Sequence, residues 1–186
     1  EIRGVGDDPA VRPGIVHRLD KDTSGVMVVA RNQDTFEALK HLFKTRSIAK
    51  TYRAIVCGAP KEKTGLINLP IGRLVKNPMR RGTAQGRRMI RGEREAQTEY
   101  RVLASGGGYA LVELHPNTGR MHQLRVHLKA IGHPVACDRV YGGKHVCCPP
   151  ECNRQLLHAS SLSFTFLGKA FRFEADDPED FASATM

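Results

Sequence analysis

The chain has 186 residues, of which 40% are hydrophobic, enough for one domain with a sizeable core. No apolar run approaches the roughly 20 residues that span a bilayer, and the opening EIRGVGDD lacks the apolar centre of a secretory signal, so the reading is a cytoplasmic protein without a membrane partner. The net charge of +10, from 29 Lys and Arg against 19 Asp and Glu, favours nucleic acid or an anionic surface as partner. Five cysteines, an odd count, argue against a secreted disulfide framework and for reduced thiols.

Residues 1–16 read as an irregular approach to HRLDKDTSGVMVVARN, His17 to Asn32. Here Arg18, Asp20, Thr23 and Ser24 precede the apolar run Val26 to Ala30, which reads as a short buried strand. Polar groups held at the end of a strand are well placed for catalysis, so Asp20 is the candidate chemical centre. Asn32 and Asp34 are caps for a helix over about 33–44, with Phe36, Leu39, Leu42 and Phe43 at helical spacing. Residues 49–57 alternate as a strand that Gly58-Ala59-Pro60 ends, and Leu66 to Arg73 is an extended piece broken by Pro70.

Residues 73–94 carry eight Lys and Arg side chains, Arg80, Arg81, Arg87 and Arg88 among them, between glycines and with little apolar periodicity. This is read as a flexible basic loop or hairpin that contacts phosphate. Residues 96–105 and 109–115 are two strands around Gly106-Gly107-Gly108, and 121–131 form a helix that Gly132 terminates. Residues 133–155 are irregular; 156–167 and 171–174 form a last hairpin, followed by an exposed acidic tail, DDPEDF. The fold class is α+β, a mixed and largely antiparallel sheet with a few helices.

Three chemistries are weighed. His17-Arg18-Leu19-Asp20 is not the kinase His-Arg-Asp, since a Leu intervenes and no Asp-Phe-Gly follows; the P-loop pattern is absent too. His145, Cys147, Cys148 and Cys152 contain zinc-ligand types, but adjacent Cys147 and Cys148 fit one ion poorly, and free cysteines in a surface loop are the reading. A carboxylate beside a cation, on a basic chain with no cofactor signature, suggests chemistry on a nucleic acid whose base is drawn from the stack against a ring such as Tyr52.

The stretch HRLDKDTSG before an apolar run resembles the catalytic motif of the RluA-type pseudouridine synthases. Further matches follow in that family's order: Lys50-x-Tyr52-x-Ala54-x-Val56-x-Gly58, Pro70 to Arg73, Thr118 to Leu128, Asp138-x-x-Tyr141-Gly142 and Gln155 to Ala159. The resemblance implies the pseudouridine synthase catalytic fold and the isomerisation of uridines in ribosomal or transfer RNA without a cofactor or metal. It implies that Asp20 is the catalytic aspartate, that Tyr52 stacks on the base, and that Arg125 pairs with Asp20 and aims it. Leu157 would line the pocket and Arg18 would help flip the nucleotide. Arg120, His122, Arg80, Arg81, Arg87 and Arg88 complete the substrate-binding set; His122, His127 and His158 are read as hydrogen-bonded rather than acid–base groups. The family's Lys-Pro motif and small N-terminal RNA-binding domain are not found before His17. Residues 1–186 are therefore read as a catalytic domain lacking its N-terminal portion, with an exposed sheet edge or apolar face. The alternative is an RNA-binding module without catalysis.

Overall fold

The computed structural model describes residues 2–85, 89–144 and 146–182. Arg87, Arg88 and His145 lie outside the described residues. Seven strands make the main sheet: β1 (Ser24–Gly25), β2 (Ala49–Cys57), β3 (Thr64–Asn68), β7 (Gln97–Gly106), β8 (Tyr109–Pro116), β9 (Leu157–Phe166) and β10 (Lys169–Glu174). Their order is β1-β9-β2-β8-β7-β3, with β10 also on β9, and only β1–β9 is parallel. A second sheet orders β4 (Ile71–Leu74) between β5 (Asn77–Gly82) and β6 (Ile90–Arg94). Among the described residues three helices complete the fold: α1 (Gln33–Lys44), α2 (Gln123–Ala130) and α3 (Glu179–Ala182).

Alternation along the central strands sorts the core to two faces. Ala54 and Val56 of β2, Val112 and Leu114 of β8 and Leu157 of β9 meet Leu124 and Leu128 of α2. Ile55 and Leu156 point the other way, onto Ala136 and Phe181. Each fully buried leucine contributes about 2 kcal/mol of transfer free energy. α1 starts as its cap predicts: Asn32 accepts from the Thr35 N–H at 2.9 Å, and Phe36 and Leu39 are buried. β2 and β9 shift register beside Tyr52, where Thr51 faces Ser161 and Tyr52 faces Ala159. Ser160 is the extra residue of that bulge, which re-aims the neighbouring side chains.

Three readings are corrected and a fourth is narrowed. The run Val26 to Ala30 is not a buried strand. The Val26 N–H still bonds Ala159 O, but those of Val28 and Ala30 go to His17 Nε2 and Gly14 O. Met27 and Val29 remain 41% and 36% exposed. Of the loop or hairpin read for 73–94, the described part takes the hairpin: β4 and β5 pair antiparallel, and β6 adds a third strand on the other edge of β4.

The acidic tail is docked, not free: Asp177 pairs with Arg53, Asp180 with Arg154 at 2.7 Å, and Phe181 is buried. The cysteines, read as free thiols, are mostly paired: Cys57 with Cys147 and Cys137 with Cys148, leaving Cys152. The bridge between Val56 and Val135 brings these segments together across the sheet end. Among the described residues no group of His, Cys, Asp or Glu is placed to hold a metal. On the outer strand β10, Phe171 and Phe173 are 37% and 42% exposed.

Candidate active site

The Asp20 loop is tied down on both sides. Its own turn closes with the Thr23 N–H on Asp20 O at 3.0 Å. Gln155 Nε2 donates to Thr23 Oγ1 at 2.7 Å, and Ser24 Oγ meets His158 Nδ1 at 2.9 Å. Gly25 (φ +116°) lies so close to the Ala159 backbone that a Cβ there would strike it, so the parallel pairing that anchors the loop requires glycine. On the other side the His17 ring stacks on Phe43 at 4.6 Å and accepts from the Val28 N–H at 3.0 Å. Burial, and then the Lys50 charge, lower the His17 pKa to about 4, which suits an imidazole used as a neutral acceptor.

Across from the loop, α2 supplies Arg125. Its Nη1 donates to Asp20 Oδ2 at 2.9 Å, while Nε and Nη2 reach Asp138 Oδ2 and Oδ1 at 2.7 and 2.9 Å. The Asp138 side chain is fully buried, and its Oδ1 also accepts from the Val140 and Tyr141 N–H groups. The fork-shaped guanidinium is thus bonded in its plane to two carboxylates, and the Tyr141 ring lies 5.0 Å from its Cζ. Burial opposes the Arg125 charge, yet the bonds to Asp138 and then Asp20 raise its pKa above the ordinary arginine value. Asp20 Oδ1 has no hydrogen bond among the described residues; His122 Nε2 stands 3.8 Å from it. One carboxylate oxygen is therefore held and the other is available to a substrate atom.

A pocket of about 580 Å³ opens at this carboxylate, within the range of small-molecule and nucleotide sites. It brings together Asp20, Tyr52, Arg125, Leu157, Arg18, Arg120 and His122, seven residues singled out from the sequence. Burial and then the Asp20 charge push the Tyr52 phenol up to about 12, so it stays protonated at neutral pH. Burial lowers the His122 pKa despite Asp20, and its Nδ1 lies 2.8 Å from the Tyr141 hydroxyl. His127 and His158 are hydrogen-bonded within the fold, to Leu69 O and Thr98 Oγ1 and to Ala175 O and Ser24 Oγ. Arg81 lies apart, in a neighbouring groove with Arg73, Arg91 and Arg94 that shares Gly119, Arg120 and Met121 with the pocket. Arg80, exposed on β5, lines neither.

Sequence reasoning assigned no role to Asp138, Tyr141 or Lys50. Asp138 and Tyr141 stood in a quoted motif, but an aspartate in an irregular stretch carries no sign that it will meet an arginine of α2. Gln123 was also passed over. Its side-chain oxygen accepts from Thr118 Oγ1 and the Arg120 N–H, while Nε2 donates to Gln97 O and Thr98 Oγ1, and this shapes the turn before α2.

A family profile described as RNA pseudouridylate synthase matches residues 7–130. The chain is 40% identical over 174 residues to an uncharacterised RNA pseudouridine synthase of Chloroflexus aurantiacus, covering 91% of this chain and 52% of that protein. It is 38% identical over 204 residues to the chloroplastic RNA pseudouridine synthase 2 of Oryza sativa, covering 97% of this chain and 46% of that one. Among solved structures, human RNA pseudouridylate synthase domain containing 1 superimposes with a TM-score of 0.79 at 30% identity, over 88% of this chain and 68% of the human one. The chain spans about half the length of the curated relatives it matches.

Proposed function

Because the chain belongs to the RNA pseudouridylate synthase family, we propose that it is the catalytic part of an enzyme that converts specific uridines of ribosomal or transfer RNA to pseudouridine, with Asp20 as the catalytic aspartate. The observation that carries the reading is the geometry of one carboxylate. Asp20 has Oδ2 held by Arg125 at 2.9 Å and Oδ1 unbonded among the described residues, at the wall of a pocket with Tyr52 and Leu157.

In this reading a uridine leaves the helix or loop and enters the pocket, where its base stacks on Tyr52 above Leu157. Arg18, exposed at the rim, meets the strand where the nucleotide left it. The bond between C1′ and N1 breaks, the uracil turns in place, and C1′ is joined to C5, which gives up its proton to solvent while N1 takes one up. Asp20 acts at the ribose, and Arg125 keeps it aimed through the cycle. Arg120 and His122 line the wall through which the strand enters, and the groove of Arg73, Arg81, Arg91 and Arg94 carries its flanking phosphates.

The test uses ribosomal and transfer RNA, tritiated at uridine C5, from source cells lacking this gene. The full-length protein is expected to release tritium from one of the two, and Asp20→Asn to release it at a rate lower by on the order of 10⁴-fold. Equal release by both proteins defeats the assignment of Asp20, and RNA binding without release by either defeats catalysis.

A further inference from the structure

Lys50 stands in the pocket with a charge that none of the described residues answers. It lies on β2 two residues before Tyr52, so both side chains leave the same face of the strand, and both line the cavity that holds Asp20. Its ammonium reaches toward the turn ahead of α2: a Cβ built on Gly119 would sit 3.9 Å from Lys50 Nζ. The side chain is partly buried, yet among the described residues no carboxylate or carbonyl accepts from it. The acid in the same pocket is engaged by Arg125. The neighbouring groups that act on Lys50 electrostatically carry or can take up positive charge: Arg46, and His17 on the other side. Burial and the Arg46 charge accordingly lower its pKa.

A partly desolvated cation without a partner is a net cost to the folded chain unless an anion comes to it. We propose that Lys50 binds a phosphate of the target nucleotide, the one joined to the 5′ or the 3′ oxygen of the ribose whose base lies on Tyr52. This rests on the proposed RNA reading and deepens it. Two residues of strand set the Cα atoms of Lys50 and Tyr52 about 6.6 Å apart along β2, so the cation and the ring serve neighbouring parts of one nucleotide. A phosphate there contacts Lys50 and the turn at Gly119 together, which sets how far the nucleotide enters and so places C1′ against Asp20. Lys50 is on this account a positioning residue for the nucleotide, distinct from the arginines of the small sheet, which meet the strand outside the pocket. A lysine whose stem merely packs on the wall, with its ammonium in water, gives the contrasting result in the test below.

The probe is the pentaribonucleotide AAUAA, dye-labelled at one end, in three forms: all phosphates natural, or one neutral methylphosphonate placed 5′ or 3′ of the uridine. Binding to the full-length protein is followed by anisotropy. One neutral linkage is expected to weaken wild-type binding about tenfold, the loss of one charged hydrogen bond, and its position identifies the phosphate. Lys50→Met is expected to weaken binding of the natural oligonucleotide by a similar factor, to be indifferent to that same linkage, and to lower the salt slope by about 0.7. Lys50→Arg restores most of the affinity and the sensitivity. If neither neutral linkage weakens wild-type binding, the proposal is overturned whether or not Lys50→Met folds. Losses that multiply at both linkages overturn it too, while leaving the RNA reading in place. No binding of AAUAA by the wild-type protein overturns both.

Discussion

α2 and the small sheet β4–β5–β6 are both cationic and adjoin each other, but they are built in opposite ways. On α2 every residue from Gln123 to Leu128 is buried, and Arg125 is bonded to two carboxylates and covered by a ring. On β5 and β6 most side chains are exposed, and the nearby Met79 and Met89 are 77% and 74% exposed. The difference matches the two tasks that the proposed function sets. Aiming a carboxylate at one atom of a sugar needs positions determined from several directions. Holding a sugar–phosphate backbone needs charge more than exact place, because every nucleotide offers the same group. Tyr141 joins the two regions: it packs with Ile71 of β4 and Val126 of α2, and its hydroxyl accepts from the Arg81 N–H at 3.1 Å.

Four changes break or sharpen this contrast. The largest loss is expected from Asp138→Asn, which takes a charge from the buried pair while leaving the shape. Urea unfolding should show a loss of about 3 kcal/mol, since a buried arginine is left with half its compensation. Turnover should fall with affinity for RNA little changed, because Asp138 lies behind the pocket wall.

Acid should dismantle the positioned region first. The folded-state pKa of His17 is lowered from 6.5 to about 4, and that of His122 is lowered too, so below 6.5 the unfolded chain binds protons that the folded one excludes. Their stabilisation is complete above pH 6.5 and is lost as the pH falls toward 4. The His17 share is about 3 kcal/mol. His17→Gln, which keeps an acceptor for the Val28 N–H, should flatten the pH profile of the melting temperature over that window.

Tyr141→Phe tests the joint. It keeps the ring over Arg125 and removes the hydroxyl that serves His122 and the Arg81 N–H, for a loss of about 1 kcal/mol in unfolding. Hydrogen exchange should then quicken on β5 and not on α2. The smallest effect is expected from Arg91→Ala in the groove: no change in stability beyond about 0.5 kcal/mol, and a salt slope for single-stranded RNA lower by about 0.7. A change in turnover on bound RNA would mean that the small sheet does more than supply charge.

Much of the fold was legible because its signals are local. The Asn32 cap and the apolar stripe of α1, the alternation of β2, and the glycine turn between β7 and β8 each lie within a dozen residues. Val26 to Ala30 misled because an apolar run states that something is to be covered, not whether a strand will cover it; here one face meets α1 and the other stays open. The acidic tail misled for the converse reason, since its partners Arg53 and Arg154 are remote in sequence. Cys57 paired with Cys147 against expectation because the two are 90 residues apart, and only the bridge between Val56 and Val135 brings their segments together.

Readable from the residues alone were the helix and hairpin pieces, the net basic charge and, through motifs in a set order, the family and the residues around which the pocket is built. How those residues act on one another came only with the tertiary structure: Asp138 anchors Arg125, Arg125 takes one oxygen of Asp20 and leaves the other, and among the described residues nothing pairs with Lys50 beside Tyr52. The reason is physical. Propensity and pattern act over a few residues, whereas an ion pair or a vacancy for one depends on distances between segments that only the folded sheet brings together.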